Sequence, residues 1–168
     1  MIHLIVGNTG SGKSAYSNNL KIDTLGVVFS LDQWNKTLFF PDKKEEDGLQ
    51  WMLERIERVE TIILEMVLQL DITGTDSILD LGLSKYEQRE KFRKFAEVNY
   101  IPVKTHFLDI SKETRRERVL KRNIEQGETF DLEVTEENFE FMEEWFEEPT
   151  PSELEDGIII KDSINLNN

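Results

Sequence analysis

The chain has 168 residues, no cysteine and two histidines, and its 34 acidic against 20 basic side chains leave a formal net charge of −14. That length can bury a core without covalent staples. The missing thiols exclude disulfides, cysteine nucleophiles and thiolate metal sites, and His3 and His106 are too few for a histidine-rich metal cluster.

The acidic field repels polynucleotides and anionic membranes unless basic residues cluster locally. No basic-then-apolar leader and no run of eighteen apolar residues is visible, so a cytoplasmic protein without a membrane partner is expected. In chain order, the apolar run Ile2–Val6 predicts a first strand, and the pattern from Lys13 to about Leu20 a first helix. Val27–Leu31 reads as a second strand running into Asp32. "FFPDKKEEDG", Phe40 to Gly48, is the loop-rich stretch before a long helix over Leu49–Leu70. Strands over Ser77–Leu81 and Val103–Leu108 flank a helix over Lys85–Val98. A helix over Lys112–Gln126 follows, in which "KETRRERVLKRN" carries six basic residues. Phe139, Met142 and Phe146 recur at helical spacing within Thr135–Phe146, predicting an amphipathic helix with a solvated acidic face. "EEPTPSELEDG" then leads into a last strand over Gly157–Lys161. Strands alternating with helices mean α/β architecture, a parallel sheet covered on both faces. No repeat or composition break divides the chain, so one domain over 1–168 is expected.

The segment Gly7-Asn8-Thr9-Gly10-Ser11-Gly12-Lys13-Ser14 fits G-x-x-x-x-G-K-[ST], between a predicted strand and a predicted helix. The glycines let backbone N–H groups turn inward around a phosphate, the helix start adds the positive end of its dipole, Lys13 brings a mobile charge and Ser14 a hydroxyl for Mg²⁺. Gly7 to Ala15 is therefore the nucleotide-binding candidate. Guanine-specific switching is not supported: Asn35-Lys36-Thr37 is followed by Leu38 where an aspartate is needed, and "DLGL" at Asp80 is not D-x-x-G. A sequon at Asn35 is discounted because no secretory leader is seen.

Two acidic residues follow apolar runs and are expected at the carboxyl edge of the sheet, beside the loop. Asp80 ends "SILD", a costly position for a carboxylate without a partner, which favours a role beside Mg²⁺ over a surface or cap role. Asp32 is either a general base for a substrate hydroxyl or a turn residue. Trp34, Phe39 and Phe40 either line an acceptor cleft or form satellite core.

Taken together, "GNTGSGKS", "FSLDQW", "ILDLGLSKYEQREKF", "ETRRERVLKRN" and "FEEPTPSELEDGIII" resemble, nearly end to end, the small AAA-type P-loop kinase-like family, which is related to the kinase domain of phage polynucleotide kinase, chloramphenicol phosphotransferase and the zeta toxins. The resemblance implies a three-layer P-loop sandwich, a five-stranded parallel sheet in the order 2-3-1-4-5, and a helical lid over about 111–148. It implies ATP with Mg²⁺ and phosphoryl transfer to a hydroxyl. Lys13 then corresponds to the loop lysine, Ser14 and Asp80 to the metal-binding pair, Asp32 to the base, and Arg118 and Arg122 to the lid arginines. Arg89 matches a recurrent arginine of substrate-binding or structural role. Where the family often has a basic residue two or three positions after the aspartate, Trp34 and Asn35 stand here, and Lys36 comes later. The net charge favours a small-molecule acceptor. A polynucleotide 5′-hydroxyl comes second, and a nucleotide-binding protein without transferase activity third.

Overall fold

The computed structural model describes residues 1–125 and 133–162; Gln126, the expected end of the basic helix, and part of the expected lid lie outside the described residues. Strands β1 (Ile2–Val6), β2 (Val27–Ser30), β3 (Ser77–Asp80), β4 (Val103–Asp109) and β5 (Ile158–Lys161) form one sheet in the order β2-β3-β1-β4-β5. Every neighbouring pair is parallel. Parallel pairing demands crossovers, and helices α1 (Lys13–Thr24), α2 (Leu31–Leu38), α3 (Leu49–Ile72), α4 (Tyr86–Val98), α5 (Lys112–Glu125) and α6 (Glu136–Trp145) lie in the connections. The sheet order is the one that the resemblance implies.

Strand β1 lies at the centre and all five of its residues are buried, as a strand covered on both faces must be. Ile2, Leu4 and Val6 point into the larger core with Val59, Ile63 and Val67 of α3 and Phe92 and Ala96 of α4. Ile5 points the other way and packs with Tyr16 and Leu20 of α1. The α3 contacts recur every four residues, so one stripe of that helix faces the sheet, each such side chain contributing about 1.5–3 kcal/mol of apolar burial.

The register decides where the chemistry can gather. Ser30 of β2 aligns with Asp80 of β3, and Val6 of β1 with Phe107 of β4. The carboxyl ends of these strands form one edge, with the glycine loop, the start of α2 and the residues after β3 rising from it.

Element ends differ from expectation by a residue or a turn in most cases, with one more informative difference. The second strand stops at Ser30, and Leu31 opens α2, a helix not anticipated from the sequence. Ser30 caps it, its hydroxyl accepting from the Gln33 N–H at 3.5 Å. Asp32 therefore stands in the first turn of a helix rather than at a strand end, where the helix dipole favours its negative charge. β3 ends at Asp80 rather than Leu81, and α1 runs on to Thr24.

Arg89 is fully buried and its role is structural. Its Nε donates to Glu153 Oε1 at 2.6 Å, and its terminal nitrogens reach Glu153 Oε2 and the carbonyls of Leu83, Glu147 and Glu148 at 2.9–3.3 Å. This one side chain fastens the segment leading into β5 onto α4.

Candidate functional site

The loop after β1 is built to hold an anion. Gly10 and Gly12 adopt left-handed backbone at φ 81° and 94°, a region that side chains other than glycine's rarely tolerate. A Cβ on Gly10 would also lie 2.6 Å from the Arg115 carbonyl oxygen. Gly12 is the N-cap of α1 and has no side chain, and the first turn of α1 contains no acidic residue. That helix start carries no acidic side chain of its own, and its first-turn N–H groups lack intrahelical carbonyl partners.

Lys13 lies over the loop, its Nζ donating to the carbonyls of Gly7 at 2.8 Å and Asn8 at 3.3 Å. Burial lowers the Lys13 pKa, and the nearby carboxylates of Asp80 and Asp32 pull it back up. Those neighbours place three of the residues chosen from the sequence within electrostatic reach of one another. A cavity of about 550 Å³ holds them together: Lys13, Ser14, Asp32, Asp80, Arg118 and Arg122 all line it. A smaller cavity of about 320 Å³ adjoins it, sharing Ser14 and Asp80.

Each of the basic residues has a different setting. Arg118 is exposed, donates to the Ser11 carbonyl at 3.1 Å and lies 3.7 Å from Asp162. Arg122 is close enough to Lys13 to lower its pKa, and among the described residues its buried Nε has no hydrogen-bond partner. An orphaned guanidinium donor beside a lysine and a glycine cradle suits a polyanion, so the residues present fit nucleotide phosphates. For Mg²⁺ the fit is that of a single hydroxyl and a buried carboxylate, Ser14 and Asp80, lining the same space. Among the described residues no group of three or more His, Cys, Asp or Glu side chains could hold a metal without such help.

The three aromatics after Asp32 divide. Trp34 and Phe39 pack against the main core, Trp34 meeting Phe29 edge to face at 5.9 Å, while Phe40 lines the cavity. Val134 and, from α6, Asn138 and Met142 line it too. Reading the sequence missed Asn138 and treated Met142 only as part of an apolar face. It also passed over Arg115 and Glu143, which join α5 and α6. Glu143 sits in a run of acids that gives it no distinguishing mark; Arg115, four residues before Val119 and so on the same face of the helix, could have been noticed by that spacing.

Loop and sheet order define a P-loop protein with a kinase-like fold. Residues 2–149 match the family model described as "AAA domain", and the chain belongs to that family. No curated protein is similar enough in sequence to count as a relative. Among solved structures, Chaetomium thermophilum Kti12 in complex with ADP-AlF3 is 17% identical, with a TM-score of 0.67 over 97% of this chain and 90% of that one. The Mycobacterium tuberculosis APS kinase CysC in complex with AMPPNP and APS is 16% identical, with a TM-score of 0.64 over 96% and 88%. A chain of the Pnkp1/Rnl/Hen1 RNA repair complex is 21% identical, with a TM-score of 0.59 over 87% of this chain and 46% of that one. At these identities the likeness is one of fold. No described helix is long and apolar enough to cross a membrane.

Proposed function

We propose that the protein is an ATP-dependent phosphotransferase acting on a hydroxyl of an uncharged small molecule, with 1–168 forming one domain and about 111–148 its lid. The observation that carries this reading is the shared cavity: Asp32 lines the same space as Lys13, Arg122 and Asp80, with Phe40 and Met142 on its walls. That two fold relatives were solved with ADP-AlF3 and AMPPNP supports an adenine nucleotide as donor.

In this reading Gly7 to Ala15 hold the phosphates, with Lys13, Arg118 and Arg122 countering their charge. Ser14 and Asp80 would hold Mg²⁺, which when bound would screen the phosphate charges. The acceptor hydroxyl loses its proton to the Asp32 carboxylate as its oxygen bonds to the γ-phosphorus. The bond from that phosphorus to the bridging oxygen breaks, and ADP leaves with the electron pair. Most of the rate comes from positioning and from charge neutralisation.

The acceptor class follows from where the charges lie. Among the described residues lining the cavity the cations are Lys13, Arg118 and Arg122, which the phosphates occupy, while Phe40, Val134 and Met142 offer apolar walls. The sequence of the segments outside the described residues, 126–132 and 163–168, contains no lysine or arginine. An anionic acceptor would find little to pair with there and would meet Asp32. A 5′-hydroxyl polynucleotide would also need a basic groove and would show activity falling steeply with salt.

The test is acceptor-dependent ADP release with nucleosides, sugars and 5′-hydroxyl oligonucleotides at low and moderate salt. Asp32→Asn keeps ATP affinity near that of the wild type and lowers transfer by about 10²-fold or more. Full acceptor-dependent release in Asp32→Asn removes Asp32 as base, and ATP binding with no acceptor response favours the non-transferase reading.

A further inference from the structure

Outside the cavity that Lys13 lines, one carboxylate ties three parts of the chain together. Glu143 of α6 forms a forked pair with Arg115 of α5, one arm of it at 2.8 Å, and accepts from the Asn8 side-chain amide at 2.6 Å. Asn8 is buried and uses its other amide atom, the oxygen, to accept from the Thr9 N–H at 2.7 Å. Arg115, also buried, donates to the Thr9 carbonyl at 3.3 Å and to the Ile110 carbonyl at 2.9 Å. Both backbone polar groups of Thr9 are thus fixed. The amide orientation of Asn8 is forced by its partners, since its nitrogen faces a carboxylate and its oxygen an N–H.

We infer that Glu143 and Asn8 are positioning residues for nucleotide binding, holding the phosphate loop in its anion-receiving shape through Arg115. The chemical reason is the Thr9 carbonyl. A carbonyl oxygen free to swing toward the phosphates would repel them, and Arg115 holds it. Arg115 can do this without adding an unpaired buried charge because Glu143 neutralises it. Loop and helix also meet directly: the Arg115 backbone and Val119 close over Gly10, leaving no room for a Cβ there. Glu143 follows Met142, which with Asn138 lines the cavity. Whatever leans on that face of α6 is therefore linked to the loop, and by thermodynamic reciprocity the nucleotide is linked to it.

This inference rests on the nucleotide-binding part of the proposed function and not on transfer, so the experiment reads ADP affinity by calorimetry, with melting temperature alongside. Asn8→Ala leaves the Arg115 and Glu143 pair intact. It is expected to weaken ADP about tenfold while changing the melting temperature little, which a merely structural contact would not do. Glu143→Gln is expected to weaken ADP at least as much. Asn8→Asp faces two carboxylates at one another and is the worst of the single changes. Combining Asn8→Asp with Glu143→Gln removes the facing carboxylates but leaves Arg115 with one acceptor in place of two, so affinity recovers above that of Asn8→Asp alone without reaching wild type. ADP binding within twofold of wild type in Asn8→Ala overturns the inference, whether or not the Glu143 variants fold. So does a double variant weaker than Asn8→Asp alone. A wild type that binds ADP but transfers to no acceptor leaves this inference standing and removes the transfer reading.

Discussion

Two cations, Arg89 and Lys13, show how differently one chain can use a positive charge. Arg89 is wholly enclosed, and its hydrogen bonds run to a carboxylate and two carbonyls of the segment that it fastens and to the Leu83 carbonyl before α4. Lys13 rests on two loop carbonyls, with burial lowering its pKa and two carboxylates opposing that shift. The first has a partner in every direction and acts on stability. The second lines a cavity beside the Asp80 and Asp32 carboxylates, and in the proposed function its charge meets phosphate there. Burial alone does not separate structural from functional cations; what lies opposite the donors does.

The largest effect is expected where the matched cation is removed. Arg89→Ala leaves the Glu153 carboxylate, 2% exposed, without its counter-charge, and breaking such a buried pair costs about 3–5 kcal/mol. Thermal unfolding should show a melting temperature lowered by roughly 10 °C, with ADP affinity preserved below the transition. An unchanged melting temperature would mean that the segment leading into β5 is held by other contacts. The mirror experiment is Lys13→Ala, which should lower nucleotide affinity by about 10²-fold and move the melting temperature by no more than about 3 °C. If affinity survives, Lys13 is not the phosphate-facing cation that its position suggests.

What was legible in the sequence follows the same division. The loop and the sheet could be read because glycine spacing and strand period are local patterns, set by backbone conformation within a few residues. Helix α2 was overlooked although Ser30 and Gln33 carry the serine-x-x-glutamine signature of a helix start; the apolar run before it drew Leu31 into the strand. Arg89 could not be assigned because its partner Glu153 lies sixty-four residues away, and no local pattern encodes such a pairing. Glu143 was hidden for a related reason. Its neighbours on α6 include Glu136, Glu137, Glu140 and Glu144, and only the fold shows which one turns toward the loop. Trp34, Phe39 and Phe40 stood as one group until α2 and its C-cap set the first two against the core and the turn that follows set the third on the cavity.

A smaller effect sharpens the functional side of the comparison. Arg122 has a buried Nε with no partner among the described residues, a cost to the free protein that a bound phosphoryl group would relieve. Arg122→Ala should therefore lower kcat about tenfold or more, with nucleotide affinity changed by less than about threefold, the pattern of a donor engaged chiefly in the transition state. Steady-state kinetics beside a direct ADP titration separates the two. Equal losses in both would make Arg122 an ordinary binding residue.

The smallest expected effect tests a third buried polar group, matched like Arg89 but only in one protonation state. On the α1 face of the sheet, Tyr16 Oη lies 2.7 Å from His106 Nδ1, His106 Nε2 2.9 Å from His3 Nδ1, and His3 Nε2 3.1 Å from Asp76. With both rings neutral, Tyr16 donates to His106, His106 to His3 and His3 to Asp76, so each atom of the chain has a role. Burial, with His3 and Lys104 adding like charge, pushes the His106 pKa down to about 4 from an ordinary value of 6.5. Between those values the unfolded chain binds a proton that the folded chain refuses. Stability then rises with pH across the window and falls on acidification from about 6.5 toward 4. The paired carboxylate Glu153, with its pKa below 4.5, loses its contribution at lower pH and does not obscure the range from pH 7 to pH 5. Falling net negative charge acts in the opposite direction on the whole molecule, so the informative quantity is a difference between proteins. The melting temperature of the wild type should drop more between pH 7 and pH 5 than that of His106→Gln, whose amide can still accept from Tyr16 or donate to His3 but takes up no proton. Parallel slopes would show that the imidazole is not excluded from protonation by its surroundings, and that the chain from Tyr16 to Asp76 tolerates a charge that Arg89 and Glu153 can hold only as a pair.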